Sequence, residues 1–210
     1  MTPVRILMSI SPVIPVLTIS DASWAEAIAE ALVAGGLRTL EVTLRTPAGL
    51  EAIRRMSQVD GAVVGAGTVL NARDVAASVD AGAQFIVSPG LTEPLAKAAI
   101  ASGLPFLPGI ATASDIMRGL DLGLDHFKFF PAEAAGGRKA LTSLAAPFPQ
   151  ARFCPTGGIT LASAGEWLAM APVLCVGGSW LVSDGPPDIA AIRDRAQQAA
   201  ALRAPGADIA

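Results

Sequence analysis

DHFKFFPAE, residues 125–133, sets a lysine between two phenylalanines, and how this stretch is read decides the fold. Lysine is among the residues least often buried, because stripping water from an ammonium is costly or drives off its proton. Read as a strand, the segment alternates. Phe127 and Phe129 turn to one side, while His126, Lys128 and Phe130 share the other. If the phenylalanine side meets a layer of helices, the lysine points into the interior of a sheet covered on both faces.

Working outward, HFKFFP (126–131) is one of eight short β-branched and apolar runs. The others are VIPVLTI (13–19), TLEVTL (39–44), AVVGAGTV (62–69), QFIVSP (84–89), PFLPGI (105–110), RFCPTG (152–157) and VLCVGG (173–178). Between them lie helix-like stretches with apolar residues three and four apart, such as ASWAEAIAEALVAGG and LTEPLAKAAIASG. Caps are expected at Thr46-Pro47 and at Thr112 with Asp115, and helix ends at Gly36, Gly82, Gly103 and Gly123. Runs about 21 to 26 residues apart leave room for one helix and two short loops each, so consecutive strands should be parallel with right-handed crossovers. Eight such units point to a closed (β/α)8 TIM barrel forming a single domain over residues 1–210. A doubly wound open sheet has the same periodicity and is the competing fold. TPVRILMSISP at the start predicts a short helix covering the barrel bottom, PPDIAAIRDRAQQAAALR the last helix, and APGADIA a frayed end.

A chain of 210 residues is long enough for one full core. Apolar residues make up 52% and charged residues only 16%, which leaves little polar surface to cover a monomer and favours a homo-oligomer. With a net charge of -3 and three lysines, Lys97, Lys128 and Lys139, there is no basic stripe, which argues against nucleic acid and leaves room for a small anionic ligand. The apolar stretches are too short for a membrane span and no signal pattern opens the chain, so a cytoplasmic protein is expected. Cys154 and Cys175, in neighbouring runs, are expected to be buried inert thiols rather than a redox pair.

Alternation in TLEVTL sends Leu40, Val42 and Leu44 toward the helices. Glu41, Thr43 and Arg45 then face the axis, Arg45 nearest the C-terminal mouth where barrel active sites form. Lys128 falls within reach of Glu41. An amine among apolar walls loses hydration of its charged form, which favours the neutral nucleophile that attacks a carbonyl to give a Schiff base. An ion pair with Glu41 and no chemistry is the other reading. Glu41 could move protons or serve only as counter-ion, and Arg45 could grip a carboxylate or sit in a rim ion pair. Thr68 and Thr156 end strands, where hydroxyls can orient a ligand. Gly157-Gly158 and Gly177-Gly178-Ser179 follow the seventh and eighth runs, where backbone amides and a short helix near Ser179 would cradle a phosphate, or form only tight turns. A lone His126 cannot make a histidine metal site, tyrosine is absent, and GAGTVLN lacks the third glycine of a dinucleotide fingerprint.

Taken together, EVTLRTP (41–47), GAGTVLN (65–71), SPGLTEP (88–94), FKFFPAE (127–133), RFCPTGGI (152–159) and VGGSWL (176–181) closely resemble the 2-keto-3-deoxy-6-phosphogluconate (KDPG) aldolase family. The resemblance implies a class I aldolase on a (β/α)8 barrel, a homotrimer with neither metal nor cofactor. Such an enzyme cleaves KDPG to pyruvate and glyceraldehyde 3-phosphate in the Entner–Doudoroff pathway and often acts on 4-hydroxy-2-oxoglutarate as well. It further implies Lys128 as the Schiff-base lysine, Glu41 as general acid/base, Arg45, Thr68 and Pro89 as contacts to the pyruvate end, and Thr156 beside the substrate. Gly157, Gly158, Gly178 and Ser179 would hold the phosphate. Thr18 departs from relatives that carry a basic residue at the end of the first strand. The same chemistry on the galactonate epimer and a non-catalytic phosphosugar-binding barrel are the alternatives. An isomerase is disfavoured for want of a histidine or tyrosine at the mouth.

Overall fold

The structure is a computed structural model that describes residues 2–202. APGADIA lies outside the described residues. After helix α1 (Pro3–Ser9), strands and helices alternate: β1 (Val13–Leu17), α2 (Ala25–Ala34), β2 (Thr39–Thr43), α3 (Gly49–Met56), β3 (Val63–Gly67), α4 (Ala72–Asp80), β4 (Ile86–Val87) and α5 (Glu93–Ala101). The pattern continues with β5 (Phe106–Leu107), β6 (Gly109–Ile110), α6 (Ala113–Asp121), β7 (His126–Phe129), α7 (Gly137–Ala145), β8 (Arg152–Pro155), α8 (Leu161–Leu168), β9 (Val176–Gly178) and α9 (Ile189–Ala200).

All strand pairs are parallel. One sheet runs β5-β4-β3-β2-β1-β9 and a second β6-β7-β8. The fifth expected run is cut in two at Pro108, which has no N–H to give a ladder. Its carbonyl accepts from the Lys128 N–H at 2.8 Å, so β5 pairs with β4 while β6 pairs with β7. Isolated parallel bridges, Phe153↔Val173 and Thr156↔Gly177, join β8 to the segment that carries β9.

Two buried clusters explain why the strands read as unbroken apolar runs. Leu40, Val42, Val64, Ala66, Phe127, Phe129 and Phe153 pack with Ile28, Ile53, Ile116 and Trp167 of the helices. The opposite strand face supplies Ile14, Phe85, Val87, Leu107, Cys154 and Cys175, and these meet Leu7 and Met8 of α1. A strand buried on both faces needs no polar alternation. Each fully buried phenylalanine is worth about 1.5–3 kcal/mol over exposure, and Phe127, Phe129 and Phe153 are all inaccessible. The N-terminal helix therefore covers one end of the curled sheet, as its sequence suggests.

Local signals succeed unevenly. Gly36, Gly82, Gly103 and Gly123 all take left-handed φ, between 75° and 95°, just past their helices. Thr112 and Asp115 form a full capping box on α6. Thr46 caps nothing: α3 starts from Ala48, and the Thr46 hydroxyl instead donates to Ile19 O at 2.5 Å. The short helix expected near Ser179 is also absent, since residues 179–186 run through bends and turns. Pro186 and Pro187 each push the residue before them away from helical dihedrals.

Candidate active site

The site grows from β2 and β7. On β2 the side chains of Leu40 and Val42 pack into the helix-facing cluster, so Thr39, Glu41 and Thr43 take the other face, all buried. Thr43 spends its hydroxyl on Leu17 O at 2.9 Å, and Thr18 Oγ1 lies 3.3 Å from Thr43 Oγ1, so the threonine at the departure from the family pattern joins a hydroxyl pair. On β7 the same alternation turns Lys128 inward between the outward Phe127 and Phe129.

These two phases converge. Lys128 Nζ donates to Glu41 Oε1 at 2.9 Å and to Oε2 at 3.2 Å, with side chains only 6% and 4% exposed. The ammonium also lies 5.4 Å from the Phe130 ring centroid, within range of the ring's negative face. Burial without a partner would cost each charge heavily, so the two stabilise one another. At this separation a proton can pass directly between amine and carboxylate. Nothing fills the far side of Glu41 because β3 offers Gly67 there: a Cβ at Gly67 would overlap Glu41 Oε1 and come within 2.6 Å of its Cγ.

The remaining expected residues lie at or just past the C-terminal ends of the strands. Thr68, just past β3, has φ 60°, a conformation that a β-branched residue adopts only when its surroundings impose it. Pro89 follows β4, and its backbone presses on Gly109 closely enough to exclude any side chain there. Thr156 is buried beyond β8 and lies flush against Gly177, its N–H donating to Phe129 O at 2.9 Å. Gly157 and Gly158 follow with φ of 105° and 77°. Gly178 closes β9 under the Trp180 ring, and Ser179 is exposed beside it. The bridge from Thr156 to Gly177 turns the Gly157 N–H toward Gly177 O, whereas among the described residues the amides of Gly158 and Ser179 donate to no protein acceptor. Arg45 departs from the expectation: β2 ends at Thr43, so strand alternation does not reach it, and it sits exposed in the following turn with no ion pair among the described residues.

Below the pair, Cys154 and Cys175 are free and buried. The hydrogen bond to Cys154, and then burial, push the Cys175 thiol well above its ordinary range, which makes it a poor nucleophile. His126 is buried, and its Nδ1–H donates to Asp125 Oδ1, 2.5 Å away. Among the described residues no group of three His, Cys, Asp or Glu could hold a metal ion, and no helix is long and apolar enough to cross a membrane.

The sequence model of KDPG and KHG aldolase matches residues 4–194. The chain belongs to the KDPG and KHG aldolase family. An Escherichia coli member named KHG/KDPG aldolase is 55% identical over 177 residues, covering 84% of this chain and 83% of its own length. The crystal structure of the Zymomonas mobilis KDPG aldolase with 3-phosphoglycerate superposes with a TM-score of 0.94 at 57% identity, covering 95% of this chain and 96% of that one. That of Legionella pneumophila KDPG aldolase, with pyruvate captured as a covalent carbinolamine, gives 0.85 at 42% identity over 96% of each chain. The match to the family spans every expected site residue from Glu41 to Ser179.

Four contributors went unread in the sequence. Gly67 could have been found, because a glycine inside a strand often marks the close approach of another group. Alternation puts Phe130 in phase with Lys128 but does not mark it as the ring its ammonium faces. Pro108, through its carbonyl, and Glu133, which bonds Trp167 Nε1 at 3.0 Å, act through contacts that no local pattern announces.

Proposed function

We propose that this family member cleaves KDPG to pyruvate and glyceraldehyde 3-phosphate through a Schiff base on Lys128, and that it also accepts 4-hydroxy-2-oxoglutarate. The observation that carries the reading is the buried contact, 2.9 Å, between the Lys128 amine and the Glu41 carboxylate. The names of the relatives, and the covalent pyruvate adduct of the Legionella enzyme, support the same chemistry.

Lys128 Nζ, having passed a proton to Glu41, adds to the keto carbon of the substrate. Glu41 returns a proton to the resulting hydroxyl, which leaves as water and gives an iminium. That cation is an electron sink. Glu41, directly or through a water, takes the proton of the substrate's C4 hydroxyl; the C3–C4 bond breaks, the aldehyde departs and its bonding electrons form an enamine. Protonation of the enamine carbon by Glu41 and addition of water to the iminium free pyruvate and restore the amine. Arg45, Thr68 and Pro89 would serve the carboxylate end and Thr156 the reacting centre. The unpartnered amides of Gly158 and Ser179, with Gly157 and Gly178 beside them, suit an anion such as the phosphate.

Incubation with pyruvate and borohydride should attach a reduced adduct to Lys128, mapped by mass spectrometry against Lys97 and Lys139. An adduct on Lys128→Ala, or none on folded wild type, would overturn the assignment.

We further infer a closed eight-unit barrel in one domain over residues 1–210. Support comes from the fifth run feeding both sheets, the two bridges that join β8 to the β9 segment, and the packing of Gly35 at the end of α2 against Ala196 of α9. A homotrimer accords with the exposed Leu70, Ile100 and Met117, 45–57% accessible, and calls for a solution mass near three times 21.3 kDa by light scattering. A cytoplasmic place in the Entner–Doudoroff pathway fits the proposed substrate.

A further inference from the structure

We infer that Glu133 is a positioning residue for the phosphate end of the substrate, bracing the Gly157-Gly158 turn without touching the ligand. The inference rests on the reading of that turn as the phosphate site. Glu133 lies between β7 and α7. Its N–H donates to Gly157 O at 3.1 Å, next to the bond from Ala132 N–H to Thr156 O at 2.7 Å, so two successive bonds lace the segment after β7 to the segment after β8.

Its side chain completes the brace. Oε1 accepts from Trp167 Nε1 at 3.0 Å, and Trp167, on α8, is 1% exposed. The aliphatic stem of Glu133 lies against the turn itself: a Cβ on Gly158 would come within 2.8 Å of both its Cβ and its Cγ. Two consecutive left-handed glycines have more backbone freedom to lose than any other pair. Holding them from the side, while the Gly158 amide donates to nothing in the protein, leaves that amide preorganised for an anion and lowers the ordering cost that binding would otherwise meet. The carboxylate is itself pinned, because the indole N–H is the one polar atom of a buried tryptophan and needs an acceptor.

The test compares wild type, Glu133→Ala, Glu133→Gln and Trp167→Phe on KDPG and on 4-hydroxy-2-oxoglutarate, with inorganic phosphate as competitive inhibitor. For Glu133→Ala the KM for KDPG and the inhibition constant of phosphate should rise about ten-fold or more, with a much smaller effect on the unphosphorylated substrate, since small misplacements in such sites carry penalties of this size. Trp167→Phe should move the same constants in the same direction. Glu133→Gln, which keeps an oxygen for the indole, should restore most of the loss. Equal losses on both substrates, an unchanged phosphate constant, or a glutamine variant as impaired as the alanine one would overturn the inference. Should the alanine variant not fold, wild-type constants in Trp167→Phe would overturn it as well. A wild type that forms no pyruvate adduct at Lys128 sinks the aldolase reading instead, so the two failures are told apart.

Discussion

Gly67 lacks a side chain because Glu41 occupies the space that one would fill. In Gly67→Ala the added methyl would overlap the Glu41 carboxylate, which is buried and already held by Lys128, so the carboxylate must turn away from the amine. We expect kcat on KDPG to fall by about ten-fold or more, in line with the worth of a positioned general acid/base, with circular dichroism unchanged. Full activity would show that Glu41 has room to spare. The pair itself was legible, because two strands with a period of two fix the phase of every side chain along them. Arg45 marks where that reading stops. Alternation is a property of the strand, and once β2 ends at Thr43 the chain is free to turn. The sequence shows the hydroxyl of Thr68, whereas its left-handed backbone, the more telling feature, leaves no trace in composition.

Helix starts were legible where the capping side chain has no competing partner. Thr112 and Asp115 bond each other's backbone within α6, so Thr112→Ala should lower stability by about 1 kcal/mol, read as a fall in urea midpoint at fixed protein concentration. Thr46 has the same sequence credentials but finds Ile19 O, in the loop just past β1, and a contact 27 residues away is invisible to a local rule. Thr46→Val should therefore leave the helix content measured by circular dichroism intact; a loss of helix would restore Thr46 as a cap. PFLPGI likewise reads as one strand because hydropathy does not register a missing N–H. In the fold Pro108 divides it, and its carbonyl positions the backbone of Lys128.

At the scale of the molecule, the alternation of eight runs with helices exposed the parallel architecture, since strands apolar on both faces need cover on both. What sequence withheld was where distant segments meet: Glu133 on Trp167, Pro89 on Gly109, α9 on α2. The role of α1 was legible from its position and apolar character, and it has a kinetic meaning. With Leu7 and Met8 packed against one end of the curled sheet, the barrel proposed above would open only at the other. On the proposed mechanism a substrate tethered to Lys128 by its keto end would release its aldehyde first, and the tethered fragment would leave only after hydrolysis. Release is thereby queued, so pyruvate should compete with KDPG in steady-state inhibition while the departing aldehyde should not.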